Sequence, residues 1–398
     1  MSSRPLHAVL LPAAGGAQRL MEALRAALDG TGPALLPVDP RLPAEQAAAL
    51  LRVLRPATLE TPDGIQRLDP GDSPRVAPGT AVVIATSGST GEPKGVELSA
   101  AALRHSARAS LGRIGARPGE AWLSCLPPSH ISGLQVFLRS LLSGVTPVVL
   151  DRLGAGNARR GAGGYVSLVP TQVRHLLDEP GGREALAGFR AILLGGAAVP
   201  AGLRAEAAAA GARVITTYGM SETCGGCVYD GEPLDGVSAR IGPGGRIQLA
   251  GPVLFSGYRG QPGLTAAALD GGWFVTSDVG ELDPAGRLTV RGRADGMINT
   301  GGEKVSADEV ASVLEDCPGV REAVVVGRPD PEWGELVTAI VVPADPAAPP
   351  GLEVLRGFAR TRLPDYAAPR AVVVVPAVPL LSSGKPDLRA LRALAQPG

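Results

Sequence analysis

Short apolar runs alternate with stretches of helical periodicity through the middle of the chain. The runs have the length of strands and are bounded by glycine, proline or polar residues, as buried strands usually are. Strands are predicted at residues 81–84, 146–150, 165–169, 191–194 and 213–217, and helices at 99–114, 135–143, 172–177 and 203–210. Because strands that alternate with helices form parallel sheets covered by helices, this part of the chain predicts an α/β fold.

A different pattern begins after about residue 238. Three short strands separated by glycine and proline turns predict a meander or small barrel, and the residues beyond 295 predict a compact α+β unit. The three strands are predicted at 246–249, 273–275 and 287–291, and the α+β unit has helices at 306–315 and 352–362 and strands at 320–327, 336–342 and 371–375. We predict an N-terminal domain over 1–292, a connection at 293–295 and a C-terminal domain over 296–398.

The first eighty residues are rich in Ala, Leu and Arg, with scattered prolines. A helix is predicted over 44–54, and residues 56–78 are predicted to be a loop-rich connection.

Composition narrows the class of protein. A chain of 398 residues is long enough for more than one domain. It has 38 basic and 38 acidic side chains, so the net charge of zero gives no reason to expect a nucleic acid or an anionic membrane as partner. The apolar run at 371–375 is far too short to span a membrane, and the first residues lack the pattern of a signal peptide. We expect a cytoplasmic protein; the sequence leaves a homodimer open.

Two of the four cysteines, Cys224 and Cys227, form a CxxC pair. A zinc site would need two more ligands, and Cys125 and Cys317 are isolated in sequence. A redox pair would normally open a helix after a strand. We expect structural thiols, with a zinc site or a redox pair as the alternatives.

A loop rich in glycine and hydroxyl groups follows the strand at 81–84. Such a loop lets backbone N–H groups point into one concavity, and its hydroxyls and one lysine add donors and a positive charge, so phosphate is the expected ligand. The spacing of glycine and lysine differs from that of the P-loop of NTPases, and a flexible linker is the alternative. The candidate residues are Thr86, Ser87, Gly88, Ser89, Thr90, Gly91 and Lys94.

Other candidate residues also follow predicted strands, where open α/β sheets bind ligands. Gly195 and Gly196 allow a flat ring to lie against the backbone. In the segment 216–223, Tyr218 is suited to stacking on a base and Glu222 to holding Mg²⁺ together with phosphate oxygens; a surface turn is the alternative.

Two candidates lie further along the chain. Asp278 at a strand end is suited to a ribose diol, or is a solvated turn residue. Lys385 lies in a Gly/Ser loop, where a lone lysine is usually exposed.

Taken in order, seven motifs between residues 81 and 390 resemble those of the adenylate-forming superfamily, which includes acyl-CoA synthetases, adenylation domains of peptide synthetases and luciferase. They are Thr-Ser-Gly-Ser-Thr-Gly-x-Pro-Lys-Gly, Gly-Gly-Ala, Tyr-Gly-Met-Ser-Glu-Thr, Ser-Asp-x-Gly, Gly-Arg-x-Asp, Gly-Gly-Glu-Lys and Ser-Gly-Lys. The resemblance implies that fold: a large N-terminal domain of βαβ layers with a small β-barrel-like part, and a small mobile α+β C-terminal domain.

The resemblance also implies roles for the matching residues. Those from Thr86 to Lys94 would hold the β- and γ-phosphates of ATP, Glu222 would bind Mg²⁺, and Lys385 would bridge the carboxylate and the α-phosphate. Asp278 and Arg293 would contact the ribose, and Asp295 would be the hinge of the C-terminal domain. The walls for adenine and the acyl carboxylate would be Gly195, Gly196, Ala197, Thr217, Tyr218, Gly219, Met220, Ser221 and Thr223, and the coenzyme A side would have Gly301, Gly302 and Lys304.

Two segments bear on the acid that is activated. His-Ile-Ser-Gly-Leu from His130, followed by Ser-Leu-Val-Pro-Thr-Gln at 167–172, resembles the o-succinylbenzoate–CoA ligases of menaquinone biosynthesis. This implies an ATP-dependent ligase that forms an acyl-adenylate and then a CoA thioester. His130 would gate the acyl pocket and take part in catalysis, and Ser132, Thr171 or Ser221 would serve the second carboxylate of the substrate.

The chain departs from the family pattern in three places. Only about eighty residues precede the phosphate loop, so we expect a trimmed N-terminal subdomain. Asp278 follows Thr-Ser where Thr-Gly is common, and Gly296 replaces a frequent acidic residue. Three alternatives stay open: another aryl- or acyl-CoA ligase, a stand-alone adenylation domain that loads a carrier-protein thiol, and a non-catalytic binding protein, against which Lys94, Glu222 and Lys385 argue.

Overall fold

Two units, each with its own core, make up the chain in the computed structural model, which describes residues 3–10, 13–68, 73–87, 93–380 and 386–396. The first unit contains Met1–Gly196, Ala207–Ala239 and Leu249–Val275, and the second contains Ala197–Glu206, Arg240–Gln248 and Thr276–Gly398. The predicted hinge at 293–295 describes a movement of the C-terminal domain, which one structure does not show, so the hinge stays a prediction.

The strands of the described residues are β1 Leu6–Val9, β2 Ala34–Pro37, β3 Thr58–Thr61, β4 Gly64–Arg67, β5 Thr80–Ser87, β6 Pro93–Ser99, β7 Trp122–Ser124, β8 Val148–Val149, β9 Tyr165–Leu168, β10 Ala191–Gly195, β11 Val214–Met220, β12 Gly225–Tyr229, β13 Glu232–Pro233, β14 Ser238–Ile241, β15 Arg246–Ala250, β16 Gly257–Tyr258, β17 Leu269–Asp270, β18 Trp273–Leu282, β19 Leu288–Arg293, β20 Met297–Thr300, β21 Glu303–Ser306, β22 Val320–Asp330, β23 Gly334–Pro343 and β24 Ala371–Val374.

The helices are α1 Ala13–Asp29, α2 Ala44–Leu54, α3 Ala100–Ile114, α4 Ile131–Ser143, α5 Ala155–Ala158, α6 Pro170–Asp178, α7 Gly182–Ala187, α8 Ala201–Ala209, α9 Pro262–Ala268, α10 Ala307–Glu315, α11 Leu352–Arg360 and α12 Leu388–Leu394. Among the residues with described positions, none of these helices is long and apolar enough to cross a membrane.

The first sheet of unit 1 has the strand order β16-β6-β5-β2-β1-β3-β4. Strand β1 pairs in parallel with β2 and β3, and β5 pairs antiparallel with β6. The first eighty residues therefore supply four strands and two helices, and the prediction that 56–78 is only a loop-rich connection is wrong. Strands β3 and β4 are four residues each and β4 is exposed throughout, so neither produces an apolar pattern.

The second sheet has the order β13-β12-β11-β10-β9-β7-β8. Strands β7 to β11 are parallel, and β12 runs antiparallel to β11, which confirms the predicted parallel sheet. Consequently β7, β9, β10 and β11 all end at one edge of the sheet, where such sheets bind ligands.

Helices α1, α3 and α4 pack on the first sheet through a core of completely buried side chains, which includes Leu24, Leu98, Leu103 and Leu134. Ser99 accepts a hydrogen bond from the Ala102 N–H and begins α3, as predicted. Helix α4 begins four residues earlier than predicted. Gly133 explains the difference, because a Cβ there would lie 2.1 Å from the carbonyl oxygen of Pro127. Gly133 is required by this close contact but is a poor helix former, so the sequence pattern did not indicate that the helix begins before it.

Unit 2 contains the predicted α+β arrangement. Strands β21, β20, β23 and β22 form a sheet to which β24 is added in parallel to β23. Helices α10 and α11 bury Val310, Leu314 and Leu355 against it, and Ser306 begins α10 by accepting the Glu309 N–H. Another sheet has the order β14-β15-β18-β17, with β19 paired to β18, where a meander or small barrel was predicted.

Candidate active site

The carboxyl edge of the second sheet brings together the glycine pair and Thr217. Gly195 at the end of β10 pairs with Thr217 on β11, and a Cβ on Gly195 would lie 2.3 Å from Thr217 Oγ1. Gly196 has φ +86°, and a Cβ there would lie 3.3 Å from Val169 Cγ1, just beyond β9. The glycines therefore allow three strand ends to approach closely, and the contact of this surface with a flat ring stays a prediction.

The segment predicted as a turn after β11 has two parts. Tyr218, Gly219 and Met220 still belong to β11, with an irregularity in register between Tyr218 and Gly219. A single helical turn, Ser221–Thr223, follows. A β-bulge is a common way to redirect side chains beside an active site.

The hydroxyl of Thr223 is occupied by this turn. Thr223 is completely buried; its Oγ1 accepts the Met220 N–H at 3.0 Å and donates to the Gly225 carbonyl at 2.8 Å. The geometry thus gives Thr223 a structural task, and its predicted contact with substrate stays a prediction. Ser221 is also buried.

Helix α4 is tied to the same turn. Gln135 Nε2 donates to the Cys224 carbonyl at 2.6 Å and to Ser106 Oγ at 3.1 Å. A Cβ on Gly225 would lie 3.5 Å from Ile131 Cγ1. The first turn of α4, with His130 before it and Ser132 within it, therefore lies beside the turn that carries Glu222.

The Glu222 carboxylate is held by a residue that the sequence did not single out. The hydroxyl of Tyr258 donates to Glu222 Oε1 at 2.8 Å, and the Phe255 N–H donates to the Glu222 carbonyl at 2.8 Å. Burial, together with the neighbouring carboxylate of Glu222, raises the pKa of Tyr258, so the phenol stays a donor. The only sequence signal was a Gly-Tyr pair after an apolar stretch, too short to recognise as a strand.

The segment predicted to bind phosphate begins and ends in a hairpin formed by β5 and β6. Thr86 on β5 lies opposite Lys94 on β6. Lys94 Nζ lies over the Tyr258 ring, 4.9 Å from its centroid. The Thr86 hydroxyl is buried and has no hydrogen-bond partner within the ranges that the structure describes. Gly88, Ser89, Thr90 and Gly91 lie outside the described residues, as does the side chain of Ser87.

Asp39 is a second residue missed by the sequence interpretation. It follows β2 and is 4 % exposed. Burial by itself would raise the pKa of Asp39, but hydrogen bonds from Arg41 and the positive charges of Arg41 and His130 hold that pKa below its usual value. A carboxylate is thus held in the electrostatic neighbourhood of His130. Thr171 lies in the first turn of α6.

The site residues predicted in unit 2 fall into two groups. Asp278 on β18 pairs with Arg293 on β19, so the two residues predicted to contact ribose lie opposite each other. Gly301 and Gly302 form the two-residue turn between β20 and β21, with φ +59° and +85°, which a tight hairpin requires. Ala197 and Lys304 are exposed.

Two further predicted residues, besides those of the segment 87–91, are not described in full. Lys385 lies outside the described residues, and so does the side chain of Asp295, whose backbone belongs to the helical turn Ala294–Gly296. The roles of both stay predictions.

The CxxC thiols are buried in the interior. Cys224 and Cys227 are both completely buried, and burial raises the pKa of Cys227 to about 12 and that of Cys224 above its ordinary value. Thiols of this kind are poor nucleophiles at neutral pH.

The donors at the turn fit a magnesium ion shared with a substrate. In the described part of the chain, no three or more His, Cys, Asp or Glu side chains are grouped as metal ligands. Glu222 supplies one carboxylate, which is how Mg²⁺ is usually held when phosphate oxygens and water complete its shell.

Comparison with known proteins adds three findings. The chain matches the family model of the AMP-binding enzyme over residues 57–251 and that of the AMP-binding enzyme C-terminal domain over residues 309–385. It is 41 % identical over 403 residues to a probable 2-succinylbenzoate–CoA ligase of Mycobacterium tuberculosis, with 97 % of each chain covered.

The same fold is seen in solved structures. The o-succinylbenzoate CoA synthetase of Bacillus subtilis in complex with its acyl-adenylate intermediate has a TM-score of 0.81 and 26 % identity, covering 98 % of this chain and 88 % of that one. The same enzyme with ATP and a magnesium ion has a TM-score of 0.79 and 26 % identity, covering 96 % and 88 %.

Proposed function

Since the chain belongs to the AMP-binding enzyme family, we propose that it is an ATP-dependent acid–CoA ligase that acts on 2-succinylbenzoate, also called o-succinylbenzoate, in menaquinone biosynthesis. The observation that carries this proposal is the 41 % identity to a probable 2-succinylbenzoate–CoA ligase across 97 % of both chains. The similar structure with an acyl-adenylate supports the same reaction.

In the first half-reaction a substrate carboxylate attacks the α-phosphate of ATP, and pyrophosphate leaves. Both reactants are anions, so positive charge and N–H or O–H donors must offset their repulsion. Lys94 and the buried Thr86 hydroxyl serve the leaving pyrophosphate, and Lys385 bridges the carboxylate and the α-phosphate. Glycines at 195 and 196 leave room for the adenine against the ends of β10 and β11.

Glu222 is the residue that would hold magnesium. When bound, this ion neutralises phosphate charge and helps to orient the oxygen atoms for in-line attack. The chain contributes a carboxylate whose position is fixed from both sides, by the Phe255 N–H on its carbonyl and the Tyr258 hydroxyl on its side chain.

The acid is bound near the first turn of α4. His130 lies at its start and Ser132 within it, and the helix is joined to the Glu222 turn through Gln135. Thr171 and Ser221 add further hydroxyls. We assign to this group the recognition of the aromatic ring and of the carboxylate that is not activated.

In the second half-reaction the thiolate of coenzyme A attacks the acyl carbonyl, and AMP leaves. We assign the approach of the thiol to Gly301, Gly302 and Lys304, and the exchange of Lys385 for this segment to rotation about Asp295. A single site thereby serves both steps. We place the enzyme in the cytoplasm and allow a homodimer, which gel filtration with light scattering would test.

Acid-dependent release of AMP, measured with and without coenzyme A, tests the proposal. With 2-succinylbenzoate we expect repeated turnovers when coenzyme A is present and about one adenylate per enzyme when it is absent. Benzoate and fatty acids serve as comparison substrates. Turnover with a fatty acid alone would contradict the acid assignment, and failure of coenzyme A to release AMP would favour a carrier-protein thiol as the acceptor.

A further inference from the structure

Tyr258 occupies a position from which it reaches both charged groups of the phosphate site. Its hydroxyl donates to Glu222 Oε1 at 2.8 Å, and its ring lies beneath Lys94 Nζ at 4.9 Å from the centroid. An ammonium within about 6 Å of an aromatic centroid is attracted to the ring face. One side chain therefore contacts the predicted magnesium ligand and the predicted phosphate lysine together.

Tyr258 is itself held firmly. It is 8 % exposed, its N–H donates to Thr265 Oγ1 at 2.8 Å, and its ring meets Phe255 edge-on at 4.9 Å between centroids. The two-residue strand β16 pairs with β6 directly beside the lysine, Tyr258 opposite Val96.

The following residue anchors this strand. Arg259 is 8 % exposed and donates to the carbonyls of Leu54 at 2.7 Å and Pro74 at 2.5 Å. It also pairs with the buried Glu97 at 3.5 Å. Such a network fixes the backbone of β16 and with it the ring and hydroxyl of Tyr258.

The hydroxyl bond has a chemical consequence for Glu222. The hydrogen bond from Tyr258 to Oε1 fixes the plane of the carboxylate, and lone pairs on both oxygens stay open to a cation. Carboxylates that bind metals are commonly oriented by such hydrogen bonds, and loss of the partner typically costs 10–100-fold in metal affinity or activity. Within the described residues, Lys94 contacts the Tyr258 ring and pairs with no carboxylate. Lys94 and Glu222 therefore both contact Tyr258 and do not form an ion pair with each other.

We infer that Tyr258 is a positioning residue for the metal–nucleotide complex: its hydroxyl orients the Glu222 carboxylate, and its ring supports the Lys94 ammonium. This inference rests on the proposed function, since it takes Glu222 and Lys94 as contacts of a metal-bound nucleotide. It predicts that hydroxyl and ring have separable effects.

Binding of Mn²⁺ to the enzyme–ATP complex, followed by electron paramagnetic resonance without any acid present, tests the hydroxyl. We expect Tyr258→Phe to weaken Mn²⁺ binding by about 10-fold or more, with an unchanged melting temperature and with turnover restored by excess Mg²⁺. Tyr258→Leu, which also removes the ring, should in addition raise the KM for ATP.

Tyr165→Phe is the matched control, because the Tyr165 hydroxyl donates to the Glu120 carboxylate at the same 2.8 Å. This variant should bind Mn²⁺ like the wild type. In a Glu222→Gln background, Tyr258→Phe should cause no further loss.

The outcomes separate the two claims. Wild-type affinity in Tyr258→Phe, or an equal further loss in the Glu222→Gln background, would overturn the positioning role while leaving the proposed function intact. Absence of Mn²⁺–ATP binding by the wild type would instead contradict the proposed function.

Discussion

Single glycines decide how closely the backbone segments of the site approach one another. A Cβ on Gly195 would overlap Thr217 Oγ1 at 2.3 Å, and a Cβ on Gly219 would lie 2.1 Å from the Gly225 carbonyl. Both contacts involve neighbouring strands, so neither neighbour can move away without breaking sheet hydrogen bonds. The sequence analysis singled out Gly195 and Gly196 for a ligand ring, which stays a prediction; the close contacts of Gly195 with Thr217 and of Gly219 with Gly225 required the pairing of β11 with β10 and β12.

Gly195→Ala is expected to damage nucleotide binding, because the new methyl group forces the ends of β10 and β11 apart. We expect a KM for ATP raised about 10-fold and a loss of about 1–3 kcal/mol in the free energy of unfolding. Steady-state kinetics and urea unfolding measure these effects.

Gly112→Ala is the control, since a Cβ at this position in α3 meets nothing within 4 Å. It should leave kinetics unchanged and stabilise the helix by about 0.5–1 kcal/mol. Equal KM values for the two variants would contradict the packing argument at Gly195.

At the scale of elements, length did not decide which ones were predicted. The longest helix, α1, was missed in the Ala-rich first segment, whereas the short strands β9, β10 and β24 were predicted. Helices α2 and α3 and strand β10 were predicted closely, since each is bounded by clear signals. Strand β16 has two residues and β4 has none buried, so their pairing comes from tertiary contacts that no local pattern encodes. Tyr258 was missed for that reason.

The strands β1 and β3 and the helix α1 are joined by one buried carboxylate. Glu60 accepts two hydrogen bonds from Arg19, at 2.7 and 3.0 Å, and lies 2.9 Å from His7 Nε2. The bonds from Arg19, with that from His7, outweigh burial and hold the pKa of Glu60 below its usual value.

Acid should weaken the bonds by which Glu60 joins β1, β3 and α1. A carboxyl group whose folded pKa is lowered stabilises the protein above its unfolded pKa, near 4.3, and loses that contribution as pH falls through the lower folded value. Glu60→Gln should therefore differ most from the wild type at pH 7, and the difference should shrink below about pH 4.

Urea unfolding from pH 7 to 3.5 measures that difference. The exposed Glu332→Gln is the control and should show little difference at any pH. A difference between Glu60→Gln and the wild type that stays constant across this range would refute the assignment.

For the whole molecule, the order of motifs identified the family, while the arrangement of the site came from the structure. Lys94 lies more than a hundred residues before Glu222 and Tyr258 in the sequence. The three residues meet because β16 pairs with β6 at the edge of the first sheet. The sequence pattern gives residue types and strand ends, whereas the pairing of distant strands depends on the combined packing of all of them. Asp39 near His130 is a further example.

The proposed use of one site for two half-reactions predicts opposite defects in two lysine variants. Lys385→Ala should reduce adenylate formation by about 100-fold or more, since it removes the charge that bridges the reacting anions, yet retain thioester formation from added acyl-adenylate. Lys304→Ala should instead retain adenylate formation and slow thioester formation from added acyl-adenylate.

Pyrophosphate exchange reports the first half-reaction, and thioester formation from synthetic adenylate reports the second. If Lys385→Ala slowed both to the same degree, the exchange of lysine and thiol segments about Asp295 would be untenable.

The central claim is that this chain joins 2-succinylbenzoate to coenzyme A at the expense of ATP. The most direct measurement is a competition, in which the enzyme receives ATP, Mg²⁺, limiting coenzyme A and an equimolar mixture of 2-succinylbenzoate, benzoate and a fatty acid, and the thioesters are quantified by mass spectrometry. The account predicts succinylbenzoyl-CoA as the dominant product, with one AMP released per thioester; a dominant benzoyl- or fatty acyl-CoA, or AMP released without any CoA thioester, would contradict it.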